Sequence, residues 1–287
     1  MLSLEQPSWT AKRSRLLAEV PPFHAVAVKL LKLVGNPNCS LGEVVALLRT
    51  DAVFTAEVLR LANSSLLGHR YEVKTVLHAL GFLGLERINT LLLTVAMRGL
   101  VDRRRSILTH SCWRHNLATA LICQRMAKVA GLEPERAYIA GLIHDIGLLA
   151  LLRVFPEYER ASNLWERYGP PLLELEREMF GIDHGEAGRW LLSQWGCPIE
   201  LQNVAASHEN HATVQGCDGI LIGLVGTSSQ LADLMKMSVY PTRPQIESSE
   251  VVAWFPEAAR EQILDGLPEL TDWVVTRVNE IEVSLGV

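Results

Sequence analysis

Apolar residues recur along this chain at the spacing of an α-helix, and this pattern constrains the fold more than any other feature. One run has Lys29 and Lys32 on its polar side and apolar residues at i, i+4, i+7 and i+8, namely Val26, Leu30, Leu33 and Val34. Ser40 and Glu43 then form a capping box, in which each side chain satisfies an otherwise unpaired amide at a helix start. Short amphipathic helices joined by short loops are typical of a helical bundle.

The second half of the chain repeats this helical pattern. Pro134 follows a Gly-Leu-Glu stop and is tolerated in the first turn of a new helix, while Asp183 and Glu186 form another cap-like pair. The run GILIGLV at 219–225 fits a strand or a buried helix equally well. Because we find no hairpin and no β-α-β alternation, we predict an all-α fold of two packed helical lobes.

Composition places the protein among ordinary globular chains. It has 287 residues, of which 48% are hydrophobic and 21% charged, and its formal net charge is -5. This charge argues against general nucleic-acid binding, and the basic clusters at 12–15 and 103–105 are typical of solvated faces. Five cysteines without Cys-x-x-Cys spacing predict reduced thiols. The chain begins without a signal pattern and has no uninterrupted apolar window of ~18 residues, so we expect a cytoplasmic protein that does not enter a membrane.

The segment GLIHDIGLLAL at 141–151 places His144 and Asp145 inside an otherwise apolar run. Burying an unpaired carboxylate costs several kcal/mol or more, so this pair requires a partner. Adjacent helical residues point ~100° apart and converge only on a ligand between them, and a divalent cation is such a ligand. Imidazole with carboxylate suits zinc, iron, manganese or magnesium. Further candidate ligands are His115, His184 and His208. Taken singly, each histidine is more often a hydrogen-bonded structural residue.

These residues and longer segments carry a resemblance to a known family. The order of candidate ligands is similar to that of the HD superfamily of metal-dependent phosphohydrolases, namely His115, His144 with Asp145, His184 and His208. The chain most resembles one branch, the HDOD domain, a relative of the HD-GYP phosphodiesterases. Matching segments are VPPF at 20–23, LRLANS at 59–64, ALGFLGLE at 79–86, AGLIHDIG at 140–147, EMFGIDHGEAG at 178–188 and WGCP at 195–198.

The resemblance implies an N-terminal helical lobe packed beside an HD-like helical lobe in a bacterial signalling protein that is usually not an enzyme. It also implies that the five candidate ligands form a metal site, here a degenerate one. The expected division is an N-terminal arm at 1–19, an HDOD domain at 20–235 with lobes at 20–108 and 109–235, and a C-terminal helical extension at 236–287.

This sequence departs from the catalytic HD-GYP pattern at several positions. The lysine expected soon after the dyad is replaced by Leu148, and the paired histidines before a glutamate become Ser207 and His208. The Gly-Tyr-Pro signature is missing. The resemblance implies that the closing aspartate of the ligand set should fall near 227–229, but the sequence there reads Thr-Ser-Ser. Asp233 is a second, less favoured candidate. Because phosphoester cleavage requires an activated water and stabilisation of phosphate charge, these losses predict a pocket without turnover.

We therefore expect a signal-transduction output or scaffold module, a pseudo-enzyme that binds a signalling protein partner or a small ligand and needs no cofactor. The sequence leaves open whether a divalent metal (iron, manganese, zinc or magnesium) is bound. The alternatives are a metal-dependent phosphohydrolase acting on a nucleotide or cyclic dinucleotide, and a receptor that binds a nucleotide second messenger without hydrolysing it. From chain length, no receiver, kinase or membrane sensor is expected within this sequence, so its input would come from another molecule.

Overall fold

The structure is a computed structural model, and it describes residues 18, 20, 25–34, 40–63, 73–98, 107–158, 172–213, 217–240 and 246–285. Both basic clusters, at 12–15 and 103–105, lie outside the described residues, as do Cys39 and nearly all of the N-terminal arm. The same holds for residues 21–23 of the VPPF segment and for Ser64 at the end of LRLANS.

Within these ranges every regular element is a helix and none is a β-strand, so the all-α prediction is confirmed. The N-terminal lobe contains α1 (Ala25–Val34), α2 (Leu41–Leu48), α3 (Ala52–Ala62), α4 (Val76–Leu83) and α5 (Leu85–Arg98). The predicted capping box begins α2: the Glu43 N–H donates to the Ser40 hydroxyl, and the Glu43 carboxylate accepts from the Ser40 N–H at 2.9 Å. Buried apolar residues of α1, including Val26 and Leu30, face the core of this lobe.

The HD-like lobe is built around one long helix. It contains α6 (Ile107–Met126), α7 (Pro134–Ile143), α8 (Ile146–Val154), α9 (Leu172–Phe180), α10 (His184–Gln194), α11 (Ile199–Ser207), a 3-10 turn (His208–Thr213) and α12 (Cys217–Leu234). Helix α6 packs against α7, α8 and α12, and its central residues are almost all buried. The GILIGLV run lies within α12, where packing against α6 makes the buried helix the correct alternative.

Helix starts in this lobe follow the sequence closely. Pro134 occupies the first turn of α7, and Asp183 with Glu186 forms a capping box that makes His184 the first residue of α10. Cys112, Cys123 and Cys197 are buried, and none of these three forms a disulfide. These agree with the predicted reduced cysteines.

Two further helices, α13 (Ser248–Val252) and α14 (Glu257–Leu285), follow the HD-like lobe. Helix α14 packs against α6, and its buried Glu282 forms ion pairs with Arg114 and, at 2.8 Å, with His110. Arg114 also donates to the Asn279 side chain at 3.0 Å. These contacts hold the C-terminal part of α14 against α6, the helix that carries His115. The predicted domain limits themselves stay a prediction.

The two lobes meet where α5 packs against α7. Glu135 of α7 accepts hydrogen bonds from the Thr90 hydroxyl and, at 3.0 Å, from the Gln124 amide. Nearby, the Tyr138 and Thr94 hydroxyls lie 3.1 Å apart. We call these five residues the lobe junction. It connects the N-terminal lobe to the helix that leads directly into the His-Asp dyad.

One continuous stretch of the described chain, Pro134–Val154, is long and apolar enough to cross a membrane. A second candidate arises only if α4 and part of α5, bent by 118° relative to each other, count as one span. The first stretch comprises α7 and α8, and 94% of its apolar window is buried inside the protein. Packing within the core is therefore enough to account for its apolar composition.

Candidate metal centre

The five predicted ligands come from four different parts of the HD-like lobe and meet at its centre. All are buried, with exposed fractions of 6% or less. His115 lies in the middle of α6, His144 and Asp145 connect α7 to α8, His184 begins α10 and His208 begins the 3-10 turn. The dyad is not inside one helix as the sequence suggested. Asp145 has φ -100° and ψ 24°, so the chain turns there and redirects its carboxylate.

A close helix crossing holds this arrangement together. Gly147 of α8 lies against Gly188 of α10, and a Cβ atom on Gly147 would stand 1.8 Å from the His184 carbonyl oxygen. A Cβ on Gly188 would stand 3.2 Å from Ala205 Cβ of α11. Since only glycine allows such an approach of two backbones, these two positions bring the dyad within reach of His184.

The Asp145 carboxylate is the common neighbour of three imidazoles. Its Oδ1 atom lies 3.1 Å from His208 Nε2 and 3.7 Å from His184 Nε2, and its Oδ2 atom lies 3.6 Å from His144 Nε2. Ligand atoms of Asp145, His184 and His208 all lie within 4.8 Å of one another, and those of His115, His144 and Asp145 do the same. The structure thus brings together all five predicted residues.

The other ring nitrogen of each histidine is fixed by a hydrogen-bond acceptor. His144 Nδ1 lies 2.7 Å from the Gly141 carbonyl, and His208 Nδ1 lies 3.1 Å from the Ala205 carbonyl. His184 Nδ1 lies 2.8 Å from Glu176 Oε2. Because these oxygens only accept, Nδ1 donates in each case, and Nε2 faces Asp145. This is the usual arrangement of metal-binding imidazoles.

The Nε2 atoms of His144 and His184 are buried, and neither has a hydrogen-bond partner among the described residues. An unsatisfied buried nitrogen costs about 1–3 kcal/mol, so a cluster of this kind calls for a further partner. Imidazole nitrogens and a carboxylate oxygen converging within 4.8 Å are a suitable donor set for a divalent transition metal. The residues present therefore fit a metal ion.

His115 differs from the other three histidines. Its Nδ1 lies 3.0 Å from the Met237 carbonyl, and its Nε2 lies 3.0 Å from the Ser229 hydroxyl. With Nδ1 donating to the carbonyl, Nε2 accepts from Ser229. Asp233 Oδ1 lies 3.5 Å from Nδ1, on the opposite side of the ring. Ser229 thus occupies the position beside the inward nitrogen, and Leu148 is buried in the hydrophobic core.

Burial and charge shift the pKa values of the centre in different directions. Burial raises the pKa of Asp145, but the neighbouring histidines, His144 most strongly, outweigh it and hold that pKa well below its usual range. For His144, burial dominates over the attraction of Asp145 and lowers the pKa to about 3. Burial also opposes the charged form of His184, but Glu176 and then Asp145 raise its pKa to about 10. In the absence of a cation the centre therefore combines a neutral His144 with a charged His184.

Sequence reasoning missed the residues that support His184. Glu176 is 1% exposed, and its partner Tyr158 and the neighbouring Tyr240 are also buried. One signal could have identified the carboxylate, because Leu172, Glu176 and Phe180 follow at i, i+4 and i+8 along one helix face. A glutamate within an apolar stripe requires a buried partner. No sequence signal could have identified Tyr240, which lies 64 positions later than Glu176.

Comparison with known proteins identifies the family. The family model described as the HDOD domain matches residues 20–211. An uncharacterized protein of Treponema pallidum is 24% identical over 220 residues, which cover 72% of this chain and 42% of that protein. The chain thus spans about two fifths of the length of this curated relative.

Solved structures share the fold. An HDOD domain protein of unknown function from Geobacter sulfurreducens superposes with a TM-score of 0.75 at 22% identity, covering 92% of this chain and 96% of that one. A candidate phosphohydrolase from Shewanella amazonensis superposes with a TM-score of 0.70 at 25% identity, covering 96% of this chain and 98% of that one. A candidate signal transduction protein from Marinobacter aquaeolei superposes with a TM-score of 0.73 at 20% identity, covering 98% of this chain and 68% of that one. With a matched family model that covers most of its length and a metal-compatible His-Asp centre, the chain belongs to the HDOD domain family.

Proposed function

We propose that this protein is a signal-transduction module that holds one divalent cation in its HD-like centre and acts by recognition rather than by catalysis. Its partner would be a signalling protein or a small ligand. The observation that carries the proposal is the composition of the centre, in which three imidazoles have the Asp145 carboxylate as their common neighbour. Support at the level of fold comes from the Marinobacter protein, which is named for signal transduction.

Asp145, His184 and His208, whose ligand atoms lie within 4.8 Å of one another, would hold the cation, with His144 adjoining the other oxygen of the carboxylate. Imidazole nitrogens favour zinc, iron or manganese over magnesium, which prefers oxygen ligands. When bound, such a cation supplies Lewis acidity and lowers the pKa of a bound water. In this chain the surrounding residues orient the imidazoles and exclude bulk water, since Asp145 and the histidines around it are buried.

Two replacements argue against turnover. Ser229, within the stretch 227–229 where the resemblance to the catalytic HD pattern implies a closing aspartate, contributes a neutral hydroxyl beside His115, which weakens any second cation. Leu148 is apolar and 1% exposed, so it offers no positive charge to a phosphate. With a hydroxyl beside His115 and an apolar side chain at position 148, the centre is better suited to holding a cation than to cleaving a phosphoester.

A metal-dependent phosphohydrolase is the second candidate, and one observation favours it. The atoms of His115, His144 and Asp145 also lie within 4.8 Å of one another and could form part of a second cation site. The Shewanella relative at 25% identity is named for phosphohydrolase activity. This candidate predicts hydrolysis of a nucleotide or cyclic dinucleotide.

Metal analysis combined with hydrolysis assays separates the two candidates. Purified protein is analysed for transition metals and then assayed with added manganese, iron or zinc on bis-p-nitrophenyl phosphate and on cyclic dinucleotides. We expect about one metal ion per chain and no hydrolysis above the no-protein control. Turnover that disappears in Asp145→Ala would replace our proposal with the phosphohydrolase. Calorimetry with a nucleotide panel tests the receptor alternative, which requires heat of binding without product.

A further inference from the structure

A short segment that follows α12 supports the centre from outside the part of the chain matched by the family model. The match ends at residue 211, whereas Met237 and Tyr240 lie beyond it. The Met237 carbonyl accepts from His115 Nδ1 at 3.0 Å, and the Tyr240 hydroxyl lies 2.9 Å from the Tyr158 hydroxyl. We refer to residues 237–240 as the strap. It contacts one histidine directly and reaches a second one through other side chains.

Glu176 connects the strap to His184. Its Oε2 atom accepts both the His184 backbone N–H and the His184 Nδ1–H, each at 2.8 Å. Its Oε1 atom accepts from the Tyr158 hydroxyl. The Tyr158 ring is held by stacking on Phe180, with ring centres 5.1 Å apart. Both oxygens of Glu176 therefore accept hydrogen bonds on the Nδ1 side of His184, opposite the Nε2 atom that faces Asp145.

The hydrogen bonds of this group can run in only one direction. A carboxylate accepts, so Tyr158 gives its single hydroxyl proton to Glu176. The Tyr158 oxygen must then accept from Tyr240, which fixes the direction of the 2.9 Å contact. At the other end Glu176 accepts from His184 Nδ1. The result leaves His184 Nε2 directed at Asp145.

We propose that Tyr240, Tyr158 and Glu176 form a positioning relay that sets the cation affinity of the centre by fixing the ring of His184. This inference rests on the proposed cation site and adds to it that the strap, outside the matched region, controls how tightly the cation is held. Carboxylates that orient a metal-binding imidazole typically contribute 10–100-fold to affinity.

A purely structural role for Glu176 gives a different expectation. The carboxylate also satisfies the first backbone amide of α10, so its loss could destabilise that helix without affecting the cation. Measurement of affinity alone would not separate the two roles. The test therefore includes the visible spectrum of bound Co²⁺, which reports the ligand geometry and is insensitive to a change in overall stability.

The experiment compares E176Q, E176L and Y240F in the full chain. Glutamine retains an acceptor oxygen for Nδ1 but lacks the charge, whereas leucine removes the acceptor. Zn²⁺ affinity is measured by competition with a chromophoric chelator, and Co²⁺ spectra are recorded for each variant. We expect E176L to weaken Zn²⁺ binding about 100-fold with an altered Co²⁺ spectrum, E176Q about 10-fold and Y240F about 3-fold.

Matched controls come from the lobe junction. E135Q removes a hydrogen-bonded carboxylate on α7 that lies nine residues before His144, ~13 Å along the helix axis. Y138F removes a buried hydroxyl from the same helix. Both controls should bind Zn²⁺ within about twofold of wild type. If E176L does not fold, E176Q and Y240F still decide the question. Unchanged affinity and spectrum in those two variants, with wild type binding metal, would overturn the relay.

A second readout keeps the relay separate from the cation proposal. If wild type binds neither Zn²⁺ nor Co²⁺, the cation part of the proposed function fails. The imidazole region of the ¹H–¹⁵N spectrum still tests the relay in metal-free protein. A slowly exchanging His184 Nδ1–H signal should be present in wild type and Y138F, faster in exchange in Y240F and lost in E176L. Its absence from wild type, or its persistence in E176L, would show that no relay exists.

Discussion

Helix α7 carries a polar cluster at each end, and the two clusters are satisfied in different ways. At its start, Glu135 accepts from Thr90 and Gln124. Tyr138 lies one turn further along α7 and contacts Thr94 of α5. Because the Thr94 hydroxyl donates to the Thr90 carbonyl at 2.8 Å, the Tyr138 hydroxyl donates to Thr94. Every one of these side chains has a partner within the protein. The lobe junction is complete without any further component.

At the end of α7 the situation is reversed. His144 and His184 direct buried Nε2 atoms toward Asp145 at 3.6 and 3.7 Å, distances too long for hydrogen bonds. The opposite nitrogen of each ring is satisfied by a protein acceptor. Burial of polar groups alone therefore does not indicate a site. A polar cluster whose inward atoms lack partners does, because folding would not otherwise retain it.

We call the start of α7, with the lobe junction, its closed end, and the end with His144 and Asp145 its open end. The largest expected effect comes from a substitution at the open end. Asp145→Ala removes the carboxylate common to three imidazoles, so Zn²⁺ binding should fall below detection in chelator competition. In metal-free protein the loss of this partner should lower the free energy of unfolding by about 1–3 kcal/mol, measured by urea denaturation. Retention of wild-type metal content in this variant would mean that the dyad is a structural pair only.

Breaking the closed end should have the opposite profile. Glu135→Leu leaves the Thr90 hydroxyl and the Gln124 amide without their acceptor and should destabilise the protein by about 1–3 kcal/mol. Zn²⁺ affinity should remain within about twofold of wild type because the ligands are untouched. Urea denaturation and chelator competition on the same sample check both halves. A large loss of affinity would show that the two ends are coupled through α7.

Stability should depend on pH through the open end. The pKa of His144 falls from 6.5 to about 3, so below pH 6.5 the unfolded state takes up a proton that the folded state refuses, and stability decreases on acidification. The pKa of His184 rises from 6.5 to about 10, so its contribution is complete below pH 6.5 and is lost as the pH rises toward 10. Metal-free protein should be most stable near pH 6.5, with slopes on the order of 1 kcal/mol per pH unit.

Thermal melts in the presence of a chelator, recorded from pH 4 to pH 9, test this profile. His144→Gln should flatten the acid side and His184→Gln the alkaline side. The closed end contributes little over this range through its tyrosine, because burial, with a further contribution from the charge of Glu135, raises the pKa of Tyr138 to about 12. A melting temperature that rises steadily from pH 6.5 to pH 9 would contradict the assignment for His184.

The smallest expected effect is that of Tyr138→Phe. It removes one hydroxyl of the lobe junction but leaves Thr94 bonded to the Thr90 carbonyl. The free energy of unfolding should fall by about 0.5–1.5 kcal/mol, with no change in Zn²⁺ affinity. Urea denaturation is precise enough to detect this change. A cost above 3 kcal/mol would mean that the junction acts as one cooperative network.

Much of the architecture could be predicted from local sequence because its causes are local. The capping boxes at Ser40 and at Asp183, and Pro134 in a first turn, each depend on a few neighbouring residues. The GILIGLV run could not be assigned locally, since an entirely apolar segment has no polar residues to reveal its period. Packing against α6 decided it.

The candidate ligands could be predicted from the sequence, but the residues that support them could not. His144 and Asp145 stand out because ionisable residues within an apolar segment are unusual, and the other histidines were identified from the ligand order of the family that the sequence resembles. Glu176 and Tyr240 belong to segments with no evident connection to the dyad, and their role depends on contacts between distant parts of the chain. The turn at Asp145 was also missed, because the surrounding apolar run is compatible with one continuous helix.

Local sequence was sufficient to predict the helical class, several helix starts, the family and the chemical types of the ligands, because periodicity, capping and residue chemistry are properties of short segments. The packed fold was needed to learn which nitrogen of each histidine faces inward, that Ser229 contacts His115, and that Glu176 is bonded to His184. These features depend on distances of a few ångströms between residues far apart in the chain, and such distances are set by how the helices pack.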